Sequence, residues 1–194
     1  LGYVLDCVRQ FRTTDTATPV VLMGYLNPVE IRGAATFAQE AAQAGVDGML
    51  LVDLPPEEAD EYRAAFAHNG LALISLASPT TPQARLQRLC AQAEGYLYYV
   101  SYAGVTGAAH LDVSDASQHL AQVRALASVP VLAGFGIRDA ASAAAMAEHA
   151  DGVVVGSALV ATMAACTQTA DAAASAAAFL RPLRDALNGL AVSA

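Results

Sequence analysis

The chain has 194 residues, of which 55% are hydrophobic, and its formal net charge at pH 7 is −8. This length suffices for one domain with a substantial core, and the acidic balance argues against a nucleic-acid-binding surface, which needs basic patches. All ten basic residues are arginines, so chemistry that forms a Schiff base on a lysine is excluded.

The apolar residues fall in short runs, none of which approaches the length of a membrane span. At the start of the chain, Val4, Leu5, Val8 and Phe11 have the spacing of an amphipathic helix. No methionine precedes this helix, and no basic segment typical of a signal peptide is present. We therefore expect the chain to begin inside a helix, as a fragment of a longer protein would.

Strands and helices are predicted to alternate along the rest of the chain. Six short apolar runs are typical of buried strands, at residues 19–25, 47–53, 71–77, 96–101, 129–133 and 152–155. Helices are predicted after them at residues 31–44, 55–70, 81–90, 139–149 and 171–187. A further helix is predicted after a long loop that ends near residue 113, and it contains Leu120, Val123 and Leu126. This alternation predicts a parallel sheet with helices outside it.

Two glycine turns follow the last two predicted strands. Gly134 and Gly136 come after one strand, and Gly156 and Ser157 come after the next. A glycine at the carboxyl end of a strand lets backbone N–H groups approach an anion, and the following helix adds its positive end. Two such turns on neighbouring strands predict one binding site for a small phosphorylated ligand.

The position of these turns also favours one architecture over its competitor. An open doubly wound sheet usually carries its glycine fingerprint after the first strand, whereas (β/α)8 barrels often bind phosphate after their last two strands. We therefore predict one incomplete TIM-barrel domain over residues 1–194, with about six βα units and without the first two. The two unpaired strand edges that would remain favour aggregation or recruitment of a partner.

The cysteines and histidines give no sign of a metal site. Cys7, Cys90 and Cys166 are far apart in the sequence, and we expect them to be small buried side chains in a reducing compartment. The histidines at positions 68, 110, 119 and 149 do not have the spacing of metal ligands.

Several segments occur in the order and spacing of one known family. They are LMGYLNP (22–28), GVDG (45–48), VDLPPEE (52–58), SYAGVTG (101–107), GFGI (134–137) and VGSA (155–158). With them the chain resembles the tryptophan synthase alpha subunit over essentially its whole length. The resemblance implies a cytoplasmic lyase of tryptophan biosynthesis that cleaves indole-3-glycerol phosphate to indole and glyceraldehyde 3-phosphate.

The resemblance also implies a protein partner. In this family the alpha subunit works in a heterotetramer with a beta subunit, which receives the indole through a tunnel and joins it to serine. Pyridoxal phosphate belongs to the beta subunit, so we expect no cofactor and no metal on this chain.

Residues of this chain that match the family's motifs are assigned roles by the resemblance. The expected phosphate ligands are Gly107, Gly136, Gly156 and Ser157, and the expected supports of catalysis are Tyr98 and Thr106. The expected walls of the indole pocket are Met23, Leu50 and Phe135, and the expected partner interface is formed by Asn27, Pro28, Asp53 and Pro55. By position alone Asp53 could instead be a general base or part of a turn before a helix.

One departure from the family limits these expectations. The family's acid–base pair is a glutamate on the second strand and an aspartate in the loop after it, and neither segment occurs in the sequence. We therefore expect this chain to be the C-terminal three-quarters of the subunit and to be inactive alone. Two alternatives stay open: another phosphate-binding barrel enzyme, such as a sugar-phosphate isomerase or decarboxylase, or a non-catalytic fragment that binds a partner.

Overall fold

The computed structural model describes residues 1–100, 113–134 and 136–191, including their side chains except those of 113–118, 190 and 191. The chain forms two compact units, which are described separately. The first unit comprises Leu1–Leu76 and Pro82–Leu97, and the second comprises Ala77–Thr81 and Tyr98–Ala194. None of the helices in the described part of the chain is long and apolar enough to cross a membrane.

The first unit alternates strands with helices, as the sequence predicts. Its helices are α1 (Gly2–Arg12), α2 (Asn27–Arg32), α3 (Ala34–Ala44), α4 (Asp60–His68) and α5 (Gln83–Ala91). Its three-stranded sheet has the order β1-β2-β3, formed by Val21–Gly24, Gly48–Leu51 and Ala72–Leu73. Both pairs of neighbouring strands are parallel.

Alternation along β2 divides its side chains between two faces of the sheet. Met49 and Leu51 pack into a buried cluster with the apolar sides of the helices, and Leu50 lies on the other face. Within the cluster the rings of Phe37 and Phe66 have centroids 5.9 Å apart. This cluster is the core of the first unit.

Helix α1 confirms the helix predicted at the start of the chain, with a narrower buried face than its spacing suggested. Leu5 and Val8 are buried, whereas Val4 is 42% exposed and Phe11 is 38% exposed. Cys7 also lies on the exposed side of this helix, so its predicted burial is wrong. Cys90 is buried as predicted.

Most residues of a second sheet belong to the second unit. This sheet has four strands in the order β4-β5-β6-β7, formed by Ser75–Ala77, Leu97–Val100, Val131–Gly134 and Gly152–Val154. The helices are α6 (Val113–Leu126), α7 (Ala140–Ala147), α8 (Ser157–Ala164) and α9 (Ala172–Ala191), with a short 3₁₀ helix at Thr169–Asp171. Ile137, Ala143 and Leu183 form its buried cluster together with side chains of α7 and α9.

An aspartate before a strand fixes the pairing of parallel strands in each unit. Asp47 accepts a hydrogen bond from the Val20 N–H at 2.6 Å, and Asp151 accepts one from the Val131 N–H at 2.8 Å. Burial raises the pKa of Asp151, but the Val131 N–H and the Arg124 guanidinium outweigh it, so that this pKa lies below its ordinary value.

Two predicted elements are divided in the structure. The strand predicted at 71–77 is two strands, β3 and β4, because residues 72–73 pair with β2 while residues 75–77 belong to the second sheet. The described residues therefore form seven strands rather than six. The helix predicted at 31–44 is also two helices, since Gly33 has a φ of +83° that an L-residue rarely adopts. Asn27 and Pro28 begin α2, although they were predicted to lie in a loop.

Two predicted helix ends are also wrong. The helix expected to open at Pro55 begins at Asp60, because residues 55–58 form a separate turn in which the Glu58 N–H donates to the Pro55 carbonyl at 3.0 Å. The last helix continues beyond Gly189 to Ala191. Packing of its apolar side against α7 outweighs the low helix propensity of glycine there.

Candidate phosphate-binding site

A cavity of about 380 Å³ lies within the second unit, beyond the carboxyl ends of β6 and β7. It is lined by residues 136–138 and 156–158, together with Tyr98 and Val154. Four of the residues predicted to act at the substrate, namely Tyr98, Gly136, Gly156 and Ser157, are thus brought to one place.

Strand pairing explains why the two glycine turns meet. β6 and β7 are parallel neighbours, with Leu132 opposite Gly152 and Gly134 opposite Val154. Parallel strands end at the same edge of a sheet, so the turns that follow them lie side by side. Gly136 and Gly156 each come two residues after the last paired position of their strand.

The space in front of both glycines is open. A Cβ added at Gly136 or at Gly156 would meet no heavy atom within 4 Å. Gly136 also has a φ of +68°, a conformation that favours glycine. Neither turn is filled by another side chain of the described residues, and a ligand could approach the backbone directly.

Helix α8 begins at this opening without a side-chain cap. Its N-cap is Gly156, which has no side chain to accept a hydrogen bond, and the first intrahelical bond runs from the Val160 N–H to the Gly156 carbonyl at 3.1 Å. The N–H groups of the first turn, beginning at Ser157, have no acceptor among the described residues. Free N–H groups and the positive end of the helix macrodipole together favour an anion.

Helix α7 begins near the same cavity, but its first turn is capped by its own side chains. The Asp139 carboxylate accepts the Ser142 N–H at 2.8 Å, and the Ser142 hydroxyl accepts the Asp139 N–H at 3.1 Å. This is a capping box. Hydrogen bonding from the Ser142 backbone holds the pKa of Asp139 below its ordinary value, with smaller contributions from the Ser142 hydroxyl and Arg138.

Tyr98 reaches the cavity from β5. Its side chain is half-buried, and burial raises the pKa of the phenol above its ordinary value. The ring lies against Gly134, where an added Cβ would be 2.6 Å from Cε2 and 2.8 Å from Cζ. The sequence analysis placed Gly134 in an anion-binding turn, but it missed that only a residue without a side chain leaves room there for Tyr98.

The next residue of β5, Tyr99, lies on the opposite face of the sheet from Tyr98. Tyr99 is fully buried, and its hydroxyl lies 2.8 Å from Nδ1 of His119 on α6. Burial raises the pKa of Tyr99 to about 12. This pair joins β5 to α6, and sequence reasoning missed it because the two residues are twenty positions apart.

The predicted indole-pocket residues that the structure describes lie in the first unit. Met23 on β1 and Leu50 on β2 are directly opposite each other in the sheet. Leu50 is buried, whereas Met23 is 62% exposed. Phe135, Thr106 and Gly107 lie outside the described residues.

The predicted partner residues surround the carboxyl ends of β1 and β2. Asn27 and Pro28 form the first turn of α2, and Pro55 follows the turn after β2. Asp53 accepts a hydrogen bond from the Leu26 N–H at 2.7 Å, which ties this turn to the start of α2. The Asp53 carboxylate thus stabilises this turn. This agrees with the sequence interpretation that made Asp53 part of a turn before a helix.

The described residues contain no group of three or more His, Cys, Asp or Glu side chains arranged to hold a metal ion. The residues that line the cavity supply backbone N–H groups, the hydroxyl groups of Tyr98 and Ser157, and one cationic residue, Arg138. Such a set suits the recognition of an anion such as a phosphate ester.

Comparison with known proteins adds a family to this geometry. A family model described as the tryptophan synthase alpha chain matches residues 1–188. A tryptophan synthase alpha chain of Xanthomonas oryzae pv. oryzae is 65% identical over 189 residues, and one of Xanthomonas campestris pv. campestris is 64% identical. Each match covers 97% of this chain and 70% of the relative.

Solved structures agree with the sequence matches. A tryptophan synthase alpha chain of Legionella pneumophila superposes with a TM-score of 0.85 at 45% identity, covering 95% of this chain and 68% of that one. A tryptophan synthase complex from Pyrococcus furiosus gives a TM-score of 0.82 at 32% identity, covering 95% and 73%. These neighbours are (β/α)8 barrels, and the predicted fold class is confirmed.

Proposed function

The chain belongs to the tryptophan synthase alpha chain family, and we propose that its cavity between the β6 and β7 turns binds the phosphate of the family's substrate. Members of this family are lyases that cleave indole-3-glycerol phosphate in tryptophan biosynthesis. Family membership decides against a sugar-phosphate isomerase or decarboxylase, which the glycine turns alone left open.

The observation that carries the proposal is the uncapped start of α8 facing an unfilled cavity. Gly136, Gly156 and Ser157 line this space, and added Cβ atoms at the two glycines would meet no atom within 4 Å. A phosphate dianion there would accept hydrogen bonds from backbone N–H groups and from the Ser157 hydroxyl. It would also neutralise the positive end of the helix.

Tyr98 is proposed to stand beside the part of the substrate that reacts. A tyrosine phenol is neutral at pH 7, and burial raises the pKa of this one further, so it can donate a hydrogen bond without adding negative charge near the phosphate. Thr106 and Gly107, which follow β5 in the sequence, are proposed to contact the substrate as well. Met23, Leu50 and Phe135 are proposed to form the apolar walls around the indole ring.

A binding experiment tests the phosphate proposal. Glycerol 3-phosphate, titrated into the protein in a calorimeter, should bind, and Gly136→Asp should abolish the binding because its carboxylate would occupy the anion's place. Gly136→Asn is the matched control, since asparagine has nearly the same shape and tolerates a positive φ but carries no charge. Equal binding by the wild type and Gly136→Asp would place the anion elsewhere and overturn the proposal.

Catalysis needs more than this cavity supplies. Cleavage requires a proton for the indole ring carbon, a base for the glycerol side chain and a carboxylate near the indole N–H. We propose that these 194 residues bind the substrate but do not turn it over by themselves. Folding of the chain would be checked by circular dichroism, and release of indole from indole-3-glycerol phosphate by the folded chain alone would contradict this.

A beta chain is the proposed protein partner. Solved structures similar to this chain include the tryptophan synthase a2b2 complex of Pyrococcus furiosus. Asn27, Pro28, Asp53 and Pro55 are the proposed contact residues. Tyr25 is 67% exposed and Ile31 is 80% exposed beside them, so an apolar surface is available at this edge of the first unit.

Asp53→Ala tests this interface. The substitution removes the acceptor of the Leu26 N–H and should loosen the start of α2, weakening binding to the beta chain about tenfold. Glu148→Ala, which also removes an exposed carboxylate but lies at the end of α7, should leave the affinity unchanged. Biolayer interferometry on an immobilised beta chain measures both, and equal affinities would place the interface elsewhere.

We further propose that the chain carries no cofactor of its own and that pyridoxal phosphate stays with the beta partner. A cytoplasmic location is proposed as well, because a phosphorylated substrate is charged and does not cross membranes unaided.

A further inference from the structure

We propose that Arg138 is a phosphate-binding residue of this chain, adding side-chain charge to a site otherwise built from backbone N–H groups and hydroxyls. The inference rests on the proposed function, since it assigns a further ligand to the same cavity. It predicts that phosphate affinity depends on one guanidinium and therefore on ionic strength.

Charge singles out Arg138 among its neighbours. Of the residues that line the cavity in the described part of the chain, Arg138 alone carries a formal charge. The chain as a whole has a net charge of −8, which disfavours the approach of a dianion. A local cation at the cavity offsets that repulsion where the ligand binds.

The backbone of Arg138 is held beside the cavity. Its N–H donates to the Ser142 hydroxyl at 3.1 Å, and Ser142 is itself fixed by the capping box with Asp139. Arg138 comes two residues after Gly136, so its side chain starts at the wall that the glycine turn forms. The capping box therefore places the arginine as well as closing α7.

The guanidinium itself is weakly engaged. Its nearest carboxylate oxygen is Oδ2 of Asp139, 3.9 Å from Nε, and the Arg138 side chain is 81% exposed. By comparison, Arg124 lies 2.6 Å from Asp151 in the same unit. Asp139 directs its other oxygen to Ser142. The guanidinium of Arg138 thus keeps donors available for an oxygen-rich anion.

Arg138 and the uncapped start of α8 belong to the lining of one cavity. A cation near the first turn of a helix is repelled by the positive end of the macrodipole, and the start of α8 at the same cavity is uncapped. A bound phosphate would accept hydrogen bonds from α8 and a charge-assisted one from Arg138.

Salt-dependent calorimetry tests the assignment, with glycerol 3-phosphate as the probe. At about 20 mM salt we expect Arg138→Gln to weaken binding about fivefold. At about 300 mM salt the difference should fall below about twofold, because exposed charges are screened. Arg138→Lys should retain most of the affinity. Arg181→Gln, an exposed arginine on α9 outside the cavity lining, makes the same change in net charge and is the matched control.

The outcomes separate the inference from the proposed function. If Gly136→Asp abolishes binding while Arg138→Gln and Arg181→Gln behave alike at both salt concentrations, the phosphate site stands and the role of Arg138 is overturned. If the folded wild type does not bind glycerol 3-phosphate, or if Gly136→Asp binds it equally well, both are overturned. A salt-dependent loss confined to Arg138→Gln supports the inference.

Discussion

The starts of α7 and α8 show two solutions to the same problem within one unit. Both helices follow a glycine-containing turn after a parallel strand, and both begin with N–H groups that have no partner inside the helix. In α7, Asp139 and Ser142 accept these donors. In α8, the N-cap is Gly156, and no side chain of the described residues caps it.

The cavity, together with this difference, indicates which of the two helix starts receives a ligand. Among the helices whose N-caps the structure describes, α7 alone has a side-chain cap, so the missing cap does not by itself distinguish α8. What distinguishes the start of α8 is the cavity in front of it, which is lined by Gly156, Ser157 and Ala158. A glycine in place of aspartate or serine at an N-cap costs only a few tenths of a kcal/mol, about an order of magnitude less than an anion can contribute. We infer that α8 is left open for the phosphate.

The largest expected effect comes from giving α8 the kind of cap that α7 has. Gly156→Asp should cap the first turn and place a carboxylate in the cavity. Two like charges about 4 Å apart repel by about 4 kcal/mol at an effective dielectric constant of about 20, so affinity for glycerol 3-phosphate should fall by at least about 100-fold. Calorimetry measures the affinity, and thermal melting should show no loss of stability.

Gly156→Asn is the control for this substitution. Asparagine caps a helix about as well as aspartate but brings no charge. Its effect on phosphate affinity should therefore be at least about tenfold smaller than that of aspartate. Equal losses for the two variants would show that bulk rather than charge excludes the ligand.

Gly134→Ala should disturb the packing of Tyr98 rather than the start of α7 or α8. The new Cβ would stand 2.6 Å from Cε2 of Tyr98, so the ring must move. We expect a loss of about 1–3 kcal/mol in the free energy of unfolding, measured by urea denaturation. The loss should be smaller in a Tyr98→Ala background, with a coupling of about 1 kcal/mol.

Gly2→Ala is the matched control for Gly134→Ala. An added Cβ at Gly2 would meet nothing within 4 Å, and alanine suits a helix. This variant should be as stable as the wild type or slightly more stable. If Gly134→Ala were equally harmless, the close approach of Tyr98 would be refuted.

Removing the N-terminal cap of α7 should have a smaller effect than the substitutions above. It should lower stability rather than phosphate affinity. Asp139→Ala removes the cap and should lower the melting temperature by about 2–4 °C. Asp139→Asn, which can still accept the Ser142 N–H, should lower it less. Phosphate affinity should change by less than about threefold in both variants, and a large loss of affinity would mean that α7 rather than α8 receives the ligand.

The smallest expected effect is a pH dependence confined to α7. The pKa of Asp139 lies below its ordinary value of 3.8, chiefly because the Ser142 N–H donates to the carboxylate. The resulting stabilisation is complete above the unfolded-state pKa and is lost as the pH falls through the lowered folded-state value. Melting curves should show this acid-side loss in the wild type and less of it in Asp139→Asn.

Short-range patterns explain why much of this fold could be predicted from the sequence. The apolar runs of β6 and β7 are bounded by glycines, and parallel strands end at one edge, so the meeting of Gly136 with Gly156 follows from the alternation of strands and helices. The capping box of α7 is visible as aspartate followed three residues later by serine. The turn after β2 was harder, since Pro55 and Pro56 suggested the start of a helix that begins only at Asp60.

Features that depend on tertiary contacts could not be predicted in this way. The division of residues 71–77 between two sheets depends on which strand each part pairs with. The closeness of Gly134 to Tyr98 requires the register of β5 against β6, and the bond between Tyr99 and His119 requires the position of α6. Arg138 was overlooked because an arginine after a turn is common in sequences. Only the structure shows that it lines the cavity.

Backbone amide chemical shifts during titration with glycerol 3-phosphate test the central claim most directly. The amides of Gly136, Ser157 and Ala158 in isotope-labelled protein should shift together as the phosphate accepts their hydrogen bonds, while the amide of Ser142, already bound to Asp139, should stay in place. Shifts centred on Ser142, or none at the start of α8 while the ligand binds, would contradict the account.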